Sequence, residues 1–169
     1  MANKLVRIGV VSDSHGDITS LEAALIVMGE IDYILHAGDN LRDSVRLSRI
    51  LTIPVIGVAG NCDYLQHPTE EIIELGGQRF FIAHGHNHGV KTDTSGIIQA
   101  ARRYRVDIAI YGHTHVPALF VQYGILFLNP GSTSAGRKGT ASSCAVLTIE
   151  DTHVDAAFVP LRKMPYRAH

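Results

Sequence analysis

Five short motifs combine side chains that bind divalent cations with residues that form tight turns. Taken singly, each fits an ordinary turn, although Gly-His-Thr-His is more specific, because residues two apart in an extended segment face the same way and their imidazoles converge. Neutral imidazoles and carboxylates suit manganese, iron, zinc or nickel, so metal chemistry explains the set better than acid-base chemistry alone. The motifs are Asp-Ser-His at 13–15, Gly-Asp at 38–39, Gly-Asn at 60–61, His-Gly-His at 84–86 and Gly-His-Thr-His at 112–115.

Each motif follows a run of residues that we predict to be a strand. Residues 5–11 form a mostly apolar, β-branched run, which is typical of a strand buried on both faces. Shorter runs at 33–37, 54–59, 78–83 and 107–111 lead to the other four motifs. In open α/β sheets, ligands bind at the carboxyl edge of the strands, where loops converge beside helix N termini. We therefore expect the five motifs to share one site.

Apolar residues at helical spacing predict helices in the connections. The segment Thr-Ser-Leu-Glu at 19–22 has the form of a capping box, and the helix that it opens continues to Met28. Another helix is expected over 95–104. A helix between these two has Leu47, Ile50 and Leu51 on its apolar side.

The second half of the chain predicts hairpins instead of helical crossovers. Gly-Gly at 76–77 suits a tight hairpin turn, since glycine reaches positive φ without strain. Short β-like runs recur from Pro117 onward. An α/β architecture of two mixed sheets flanked by helices accounts for this pattern. No linker, repeat or low-complexity tract divides the chain, so we expect one domain over 1–169.

The composition excludes several classes of protein. A net charge of -1 and a pI near 6.8 argue against a protein that coats nucleic acid or an anionic membrane. No apolar run approaches the roughly 20 residues that span a bilayer, and residues 5–11 meet Asp13 too soon for a signal-peptide core. The two cysteines fit a reducing compartment, and we expect a cytoplasmic protein. A homo-oligomer is compatible with the sequence.

The five motifs, in this order and at strand ends, resemble those of the calcineurin-like metallophosphoesterase superfamily. The resemblance extends from Val6 to about Ser132, and Gly-Asn-Cys-Asp at 60–63 is similar to the small bacterial and archaeal phosphodiesterase branch, which is related to the retromer scaffold subunit. It implies a four-layer αββα sandwich that hydrolyses a small phosphodiester. The alternatives are a phosphomonoesterase and a non-catalytic protein-interaction scaffold of the same fold.

The resemblance also implies two divalent cations and a hydroxide between them that attacks phosphorus. Manganese is the expected metal, with nickel, iron, cobalt and zinc as alternatives. By the same resemblance, Asp13, His15 and His115 bind the first cation, Asn61, His84 and His113 bind the second, and Asp39 bridges both.

The residue that assists the leaving group is the least determined part of this scheme. Most superfamily members have a histidine directly after the motif asparagine, where this chain has Cys62. A thiol with an ordinary pKa near 8.5 keeps its proton at neutral pH and can donate it, although a small buried apolar side chain is an equal alternative. His86, two residues beyond a ligand, is the second candidate, and a solvent-facing loop histidine is its alternative interpretation.

Other polar residues receive structural interpretations. His36, inside a strand, is expected to form hydrogen bonds in the core rather than to bind metal. His88 is expected at the surface. Arg137 and Lys138 lie in a glycine-bearing stretch and could reach a substrate phosphate, although an exposed loop is the default interpretation. The turn at 129–132 is expected to lie near the site.

Overall fold

Two mixed five-stranded sheets pack face to face in the computed structural model, which describes residues 5–64 and 66–161. Three α-helices flank the sheets: α1 Ile18–Met28, α2 Leu41–Ile50 and α3 Ser95–Tyr104. A 3₁₀ turn covers His86–His88. The strands are β1 Leu5–Val11, β2 Tyr33–His36, β3 Val55–Gly57, β4 Glu70–Leu75, β5 Gln78–Ala83, β6 Ile108–Tyr111, β7 Ala118–Gln122, β8 Ile125–Asn129, β9 Ser143–Glu150 and β10 His153–Pro160.

The first sheet has the order β10-β9-β1-β2-β3. Strands β1, β2 and β3 are parallel and are connected through α1 and α2, whereas β9 and β10 are antiparallel to their neighbours. The second sheet has the order β4-β5-β6-β8-β7, in which β5, β6 and β8 are parallel. Both sheets therefore present several carboxyl strand ends at one edge.

Alternation along the strands builds four layers. Ile8 and Val10 of β1 face the second sheet. They belong to the same core cluster as Phe80 and Ile110 of that sheet. Val11 points to the opposite face, which α1 and α2 cover. Helix α3 packs on the outer face of the second sheet. This confirms the expected αββα sandwich.

The predicted elements are found with changes at their ends. The cap of α1 is Asp17, whose carboxylate accepts the Ser20 N–H at 3.0 Å, so the predicted capping box at 19–22 is wrong. Ile50 is 64% exposed, so the predicted apolar side of α2 is wrong at that position. The strands after α1 and α2 are shorter than predicted: β2 ends at His36 instead of residue 37, and β3 covers Val55–Gly57 instead of 54–59. None of the helices in the described ranges is long and apolar enough to cross a bilayer.

Candidate metal centre

Five of the predicted metal ligands occupy turns with left-handed backbone conformation. Asp13 and His15 follow β1, Asp39 follows β2, and His113 and His115 follow β6, with φ values of 53°, 48°, 48°, 68° and 58° respectively. Asp and His are among the residues that enter this region most often, but it is sparsely populated for any residue with a Cβ. Such outliers cluster at functional sites, where the surrounding structure holds them in place.

The turns after β1 and β6 bring one group of three side chains together. The ligand atoms of Asp13, His15 and His115 all lie within 4.8 Å of one another. His115 Nε2 is 3.1 Å from Asp13 Oδ1 and 3.2 Å from His15 Nε2. Asp13 and His115 are buried, whereas His15 is exposed at the mouth of the site.

A second group adjoins the first and consists of Asp39, His84 and His113. His84 Nε2 is 3.3 Å from Asp39 Oδ2 and 3.1 Å from His113 Nδ1. The two groups are continuous, because His84 Nε2 is also 3.9 Å from Asp13 Oδ1. The first sheet supplies both carboxylates and the second sheet supplies His84, so the centre lies across the edges of both sheets.

The distances suit ligands around cations. Nitrogen and oxygen ligands bind first-row divalent metals at roughly 2.0 to 2.2 Å, which places neighbouring ligand atoms about 3 to 3.5 Å apart. The separations of 3.1 to 3.3 Å within the two groups fall in this range. The donor atoms are oxygen and nitrogen, the set that suits manganese, iron, nickel or zinc.

Hydrogen bonds on the far side of two imidazoles direct lone pairs into the centre. His84 Nδ1 donates to the Ala37 carbonyl at 2.8 Å, and His115 Nδ1 donates to the Ala135 carbonyl at 2.9 Å. Each Nε2 therefore faces a carboxylate oxygen, and Asp13 Oδ1 is buried without a hydrogen bond from the described residues. Lone pairs this close need a proton or a metal cation between them, and backbone-anchored imidazoles are typical of metal ligands. The residues present therefore fit divalent cations.

Contacts between the carboxylates and His84 favour the charged forms of these side chains. Without a metal ion, a protonated His84 can also donate from Nε2: burial opposes ionisation of Asp39, but hydrogen bonds from His84 and the Cys62 backbone N–H keep the pKa of Asp39 below its usual range. Burial likewise opposes ionisation of Asp13, and contact with His115 and the charge of His84 lower the pKa of Asp13. Burial works against protonation of His84, but contact with Asp39 and the charge of Asp13 raise its pKa. Both carboxylates are therefore anionic at neutral pH.

His113 stays neutral at physiological pH. Burial, followed by the charges of His84 and Lys91, lowers the pKa of His113 to about 4. A neutral imidazole offers the lone pair that a metal needs.

Asn61 and Cys62 lie beside Asp39. The Cys62 backbone N–H donates to Asp39 Oδ1 at 2.9 Å, and Cys62 Sγ lies within 4.8 Å of the ligand atoms of His15 and Asp39. Cys62 is exposed, so its alternative interpretation as a buried apolar residue is wrong. The Asn61 amide donates to Cys62 Sγ at 3.6 Å. Ligation by Asn61 and a catalytic role for either residue stay predictions.

His86 lies at the rim of the second group. Its ring centroid is 5.4 Å from that of His84 and 6.2 Å from that of His113, and the side chain is partly buried. Its catalytic role stays a prediction. The expectation of a surface position for His88 is wrong, because its side chain is only 11% exposed and Nε2 is 3.1 Å from Glu70 Oε1.

A buried hydrogen-bond chain holds the turn after β1, and most of it was not predicted from the sequence. His36 Nδ1 accepts the Gly38 N–H at 3.1 Å, so Nε2–H donates to Ser14 Oγ at 2.9 Å. Ser14 then donates to Asp43 at 2.6 Å, which also accepts the Gly16 N–H at 2.9 Å. The core role predicted for His36 is confirmed. Asp43 was missed, since its only signal is its place in the first turn of α2.

Asp63 holds the turn after β3 in the same way. Its carboxylate accepts the Gly60 N–H at 2.8 Å and the Leu41 N–H at 2.7 Å, and thereby ties this turn to the start of α2. The sequence contains Asp63 in the Gly-Asn-Cys-Asp motif, but its spacing alone does not show which groups it contacts. The predicted proximity of the turn at 129–132 is confirmed, because Ser132 Oγ donates to the Asp13 carbonyl at 2.8 Å.

Relatives with similar sequences share nearly the whole length of this chain. The "Probable metallophosphoesterase YsnB" of Bacillus subtilis is 32% identical over 89% of this chain and 86% of its own. "Phosphodiesterase YfcE" of Escherichia coli is 27% identical over 85% of this chain and 88% of its own.

Solved structures share the fold. A Streptococcus pneumoniae protein, described as a predicted phosphoesterase, is 31% identical with a TM-score of 0.80, covering 94% of this chain and 91% of its own. Vacuolar Protein Sorting 29 of Cryptosporidium parvum is 21% identical with a TM-score of 0.77, covering 94% and 93% of the two chains, a likeness of fold alone.

The family comparison covers the segments that carry the motifs. A model of the calcineurin-like phosphoesterase superfamily domain matches residues 6–152, a span that contains both ligand groups of the metal centre. This match over most of the chain, together with the shared sandwich fold, shows that the chain belongs to the calcineurin-like phosphoesterase superfamily.

Proposed function

We propose that this metallophosphoesterase is a phosphodiesterase that works with two divalent cations, most naturally manganese. The observation that carries the proposal is the pair of adjoining ligand groups whose lone pairs converge around the buried Asp13 and Asp39. The similarity to the phosphodiesterase YfcE supports a diester substrate. Two free thiols support a reducing compartment and hence the cytoplasm.

The ligands would divide between the two cations around Asp39. We propose that Asp39 lies between the cations and that each cation has three further protein ligands. The first set is Asp13, His15 and His115, and the second set is Asn61, His84 and His113. When bound, the cations would supply Lewis acidity at the phosphoryl oxygens and a water acidified toward neutral pH.

The protein's own groups orient this chemistry. His84 and His115 are fixed by their hydrogen bonds to backbone carbonyls, and Asp13 by hydrogen bonds from Ser12 and the His113 N–H. Fixed ligands of this kind need no reorganisation during the reaction, which is the main source of electrostatic catalysis. The exposure of His15 leaves a side from which a phosphodiester can enter.

Cys62 is the better placed of the two candidate proton donors. Although Cys62 is exposed, partial desolvation of its thiol and the neighbouring Asp39 raise the pKa of Cys62, so the thiol keeps its proton at neutral pH. Burial and the charge of His84 lower the pKa of His86, so this imidazole is neutral and has no extra proton to give. We therefore propose that Cys62 donates a proton to the leaving oxygen and that His86 contacts substrate at the rim.

Hydrolysis of bis(4-nitrophenyl) phosphate tests the proposal. We expect the protein with added manganese to cleave this diester, and Asp39→Asn to lower kcat by at least about a thousandfold, because the carboxylate shared by both cations is lost. Metal content by mass spectrometry should fall from two ions per chain to one or none. Arg49→Gln, on the exposed end of α2, should retain both the metal and the activity.

Three results separate the alternatives. Faster turnover of 4-nitrophenyl phosphate than of the diester would identify a phosphomonoesterase. Inactivity with manganese, nickel, cobalt and zinc, together with two bound ions, would contradict catalysis and favour a scaffold. Absence of bound metal under all these conditions would overturn the proposed centre itself.

A further inference from the structure

A cavity of about 400 Å³ lies beside the turn after β6, which carries two of the proposed metal ligands. One of its lining residues is Thr114, which stands between the proposed ligands His113 and His115. Its apolar wall includes Val90 and Tyr111, which also belong to the core between the second sheet and α3. This wall is therefore anchored in the fold, and the cavity has the size of a small-molecule pocket.

The rest of the cavity is strongly cationic. Lys91, Arg137 and Lys138 make up three of its eight lining residues, and none of these eight described residues is acidic. No carboxylate within residues 5–64 and 66–161 forms an ion pair with any of the three. The chain has a net charge of only -1, so this concentration of unpaired positive charge is local. Such a patch attracts an anion rather than stabilising the fold.

Contacts connect these cations to the metal ligands. The backbone N–H of Arg137 donates to the His115 carbonyl at 3.1 Å, and Thr140 Oγ1 donates to the Arg137 carbonyl at 2.7 Å. These two hydrogen bonds hold the loop beside the site. Lys91 directly follows Val90, whose N–H donates at 3.5 Å to the carbonyl of Gly85, the residue after the proposed ligand His84. An anion held in the cavity would thus lie next to a phosphodiester at the metal centre.

We propose that this cavity, which we call the arm pocket, binds one ester arm of the substrate, and that this arm is a ring-bearing group with a second phosphate. Val116 and Ala118, which are half-buried, would contact the ring, and Lys91 and Arg137 would bind the phosphate by charge-assisted hydrogen bonds. A nucleoside that carries a phosphate in addition to the scissile diester has this chemistry. The inference rests on the proposed function, because it names the class of diester that the centre would cleave.

A pair of matched chromogenic substrates tests the arm pocket. Thymidine 5′-(4-nitrophenyl phosphate) is compared with the same ester carrying a 3′-phosphate, using the manganese-loaded protein. We expect kcat/KM to be roughly tenfold higher for the 3′-phosphorylated ester, mainly through KM, which is the usual size of one charge-assisted contact. Lys91→Gln and Arg137→Gln should each bring this ratio close to one, and Lys91→Arg should keep it. Arg49→Gln is the matched control and should leave the ratio unchanged.

Binding measured without turnover separates this inference from the proposed function. In chelator, thymidine 3′,5′-bisphosphate should bind the wild type roughly tenfold more tightly than thymidine 5′-phosphate does by calorimetry, and this difference should vanish in the Lys91→Gln/Arg137→Gln double variant. Equal kcat/KM for both esters in every variant would overturn the arm pocket and leave the phosphodiesterase intact. Charge-dependent bisphosphate binding without cleavage of either ester would support the pocket and contradict the proposed function.

Discussion

The side chains of the metal centre are held by their backbones and by hydrogen bonds on the side away from the centre. Asp13, His15 and Asp39 all have positive φ. His84 and His115 each donate a hydrogen bond from Nδ1 to a backbone carbonyl. Each residue therefore has little freedom other than to point toward its neighbours. The cost of this arrangement is local backbone strain and close approach of lone pairs, which bound cations would relieve.

The pH dependence of stability without metal tests this electrostatic arrangement at His113. The pKa of His113 is about 4 in the folded protein against an ordinary 6.5, so protonation favours the unfolded chain. In chelator, the free energy of unfolding should decrease as the pH falls from 6.5 to 4, and His113→Asn should recover about 1 kcal/mol of that decrease after allowance for solvent screening. Part of the decrease should remain, because burial also lowers the pKa of His36.

Urea unfolding at several pH values measures this effect, and asparagine is chosen because it tolerates the positive φ of this position. The exposed His153→Asn serves as the matched control. An identical pH slope for His113→Asn and the wild type would contradict the assignment.

At the scale of the elements, the centre depends on how closely the strand ends approach one another. Gly60 follows β3 at a position where any Cβ would collide with the carboxylate and backbone nitrogen of Asp39. Asp63 pulls the same turn toward the start of α2 through two backbone hydrogen bonds. Glycine is therefore required here by a close approach to a ligand.

Gly60→Ala is expected to weaken manganese binding by at least tenfold, because Asp39 must move away from its position between the ligand groups. Free manganese measured by electron paramagnetic resonance gives the affinity. Gly77→Ala lies in the β4–β5 hairpin with open space around it; its φ of 76° strains an alanine, so this variant should lose stability but keep the wild-type manganese affinity. A wild-type affinity for Gly60→Ala would show that the turn after β3 does not position Asp39.

At the scale of the whole molecule, the sandwich joins two halves of the chain at one edge. The carboxylates follow strands of the first sheet, and His84 and His113 follow strands of the second. Packing between Ile8, Val10 and the facing side chains of the second sheet keeps the two edges in register. Because neither sheet has a complete ligand group, cation binding is expected to stabilise the assembly of both.

Manganese should therefore raise the thermal stability of the protein. A free manganese concentration of one hundred times Kd adds about 2.7 kcal/mol to the free energy of unfolding for one site. This corresponds to an increase in Tm of roughly 5 to 10 °C for a chain of this size. Differential scanning calorimetry with and without chelator measures the shift. Asp13→Asn should remove most of it, and an equal shift in that variant would place the stabilising ion elsewhere.

The sequence by itself determined the order of the motifs, most of the strands and the type of chemistry, because alternation, glycine turns and ligand types are local properties. The structure confirmed α3, the hairpin at 76–77 and the expected hairpins after Pro117, which are β7–β8 and β9–β10, and it brought six of the seven predicted ligands into two adjoining groups. The capping box was wrong because α1 begins two residues earlier, with Asp17 as its cap, and the place of Ile50 on the apolar side of α2 was wrong because that residue faces solvent.

Only the tertiary structure decided which atoms face one another. The link from His36 through Ser14 to Asp43, the exposure of Cys62 and the three cations of the arm pocket depend on residues far apart in the chain. The spacing of apolar residues along the sequence does not predict such contacts, because they form where loops from different strands meet. Local sequence thus specifies the elements and their chemistry, whereas the packing of the two sheets specifies the site.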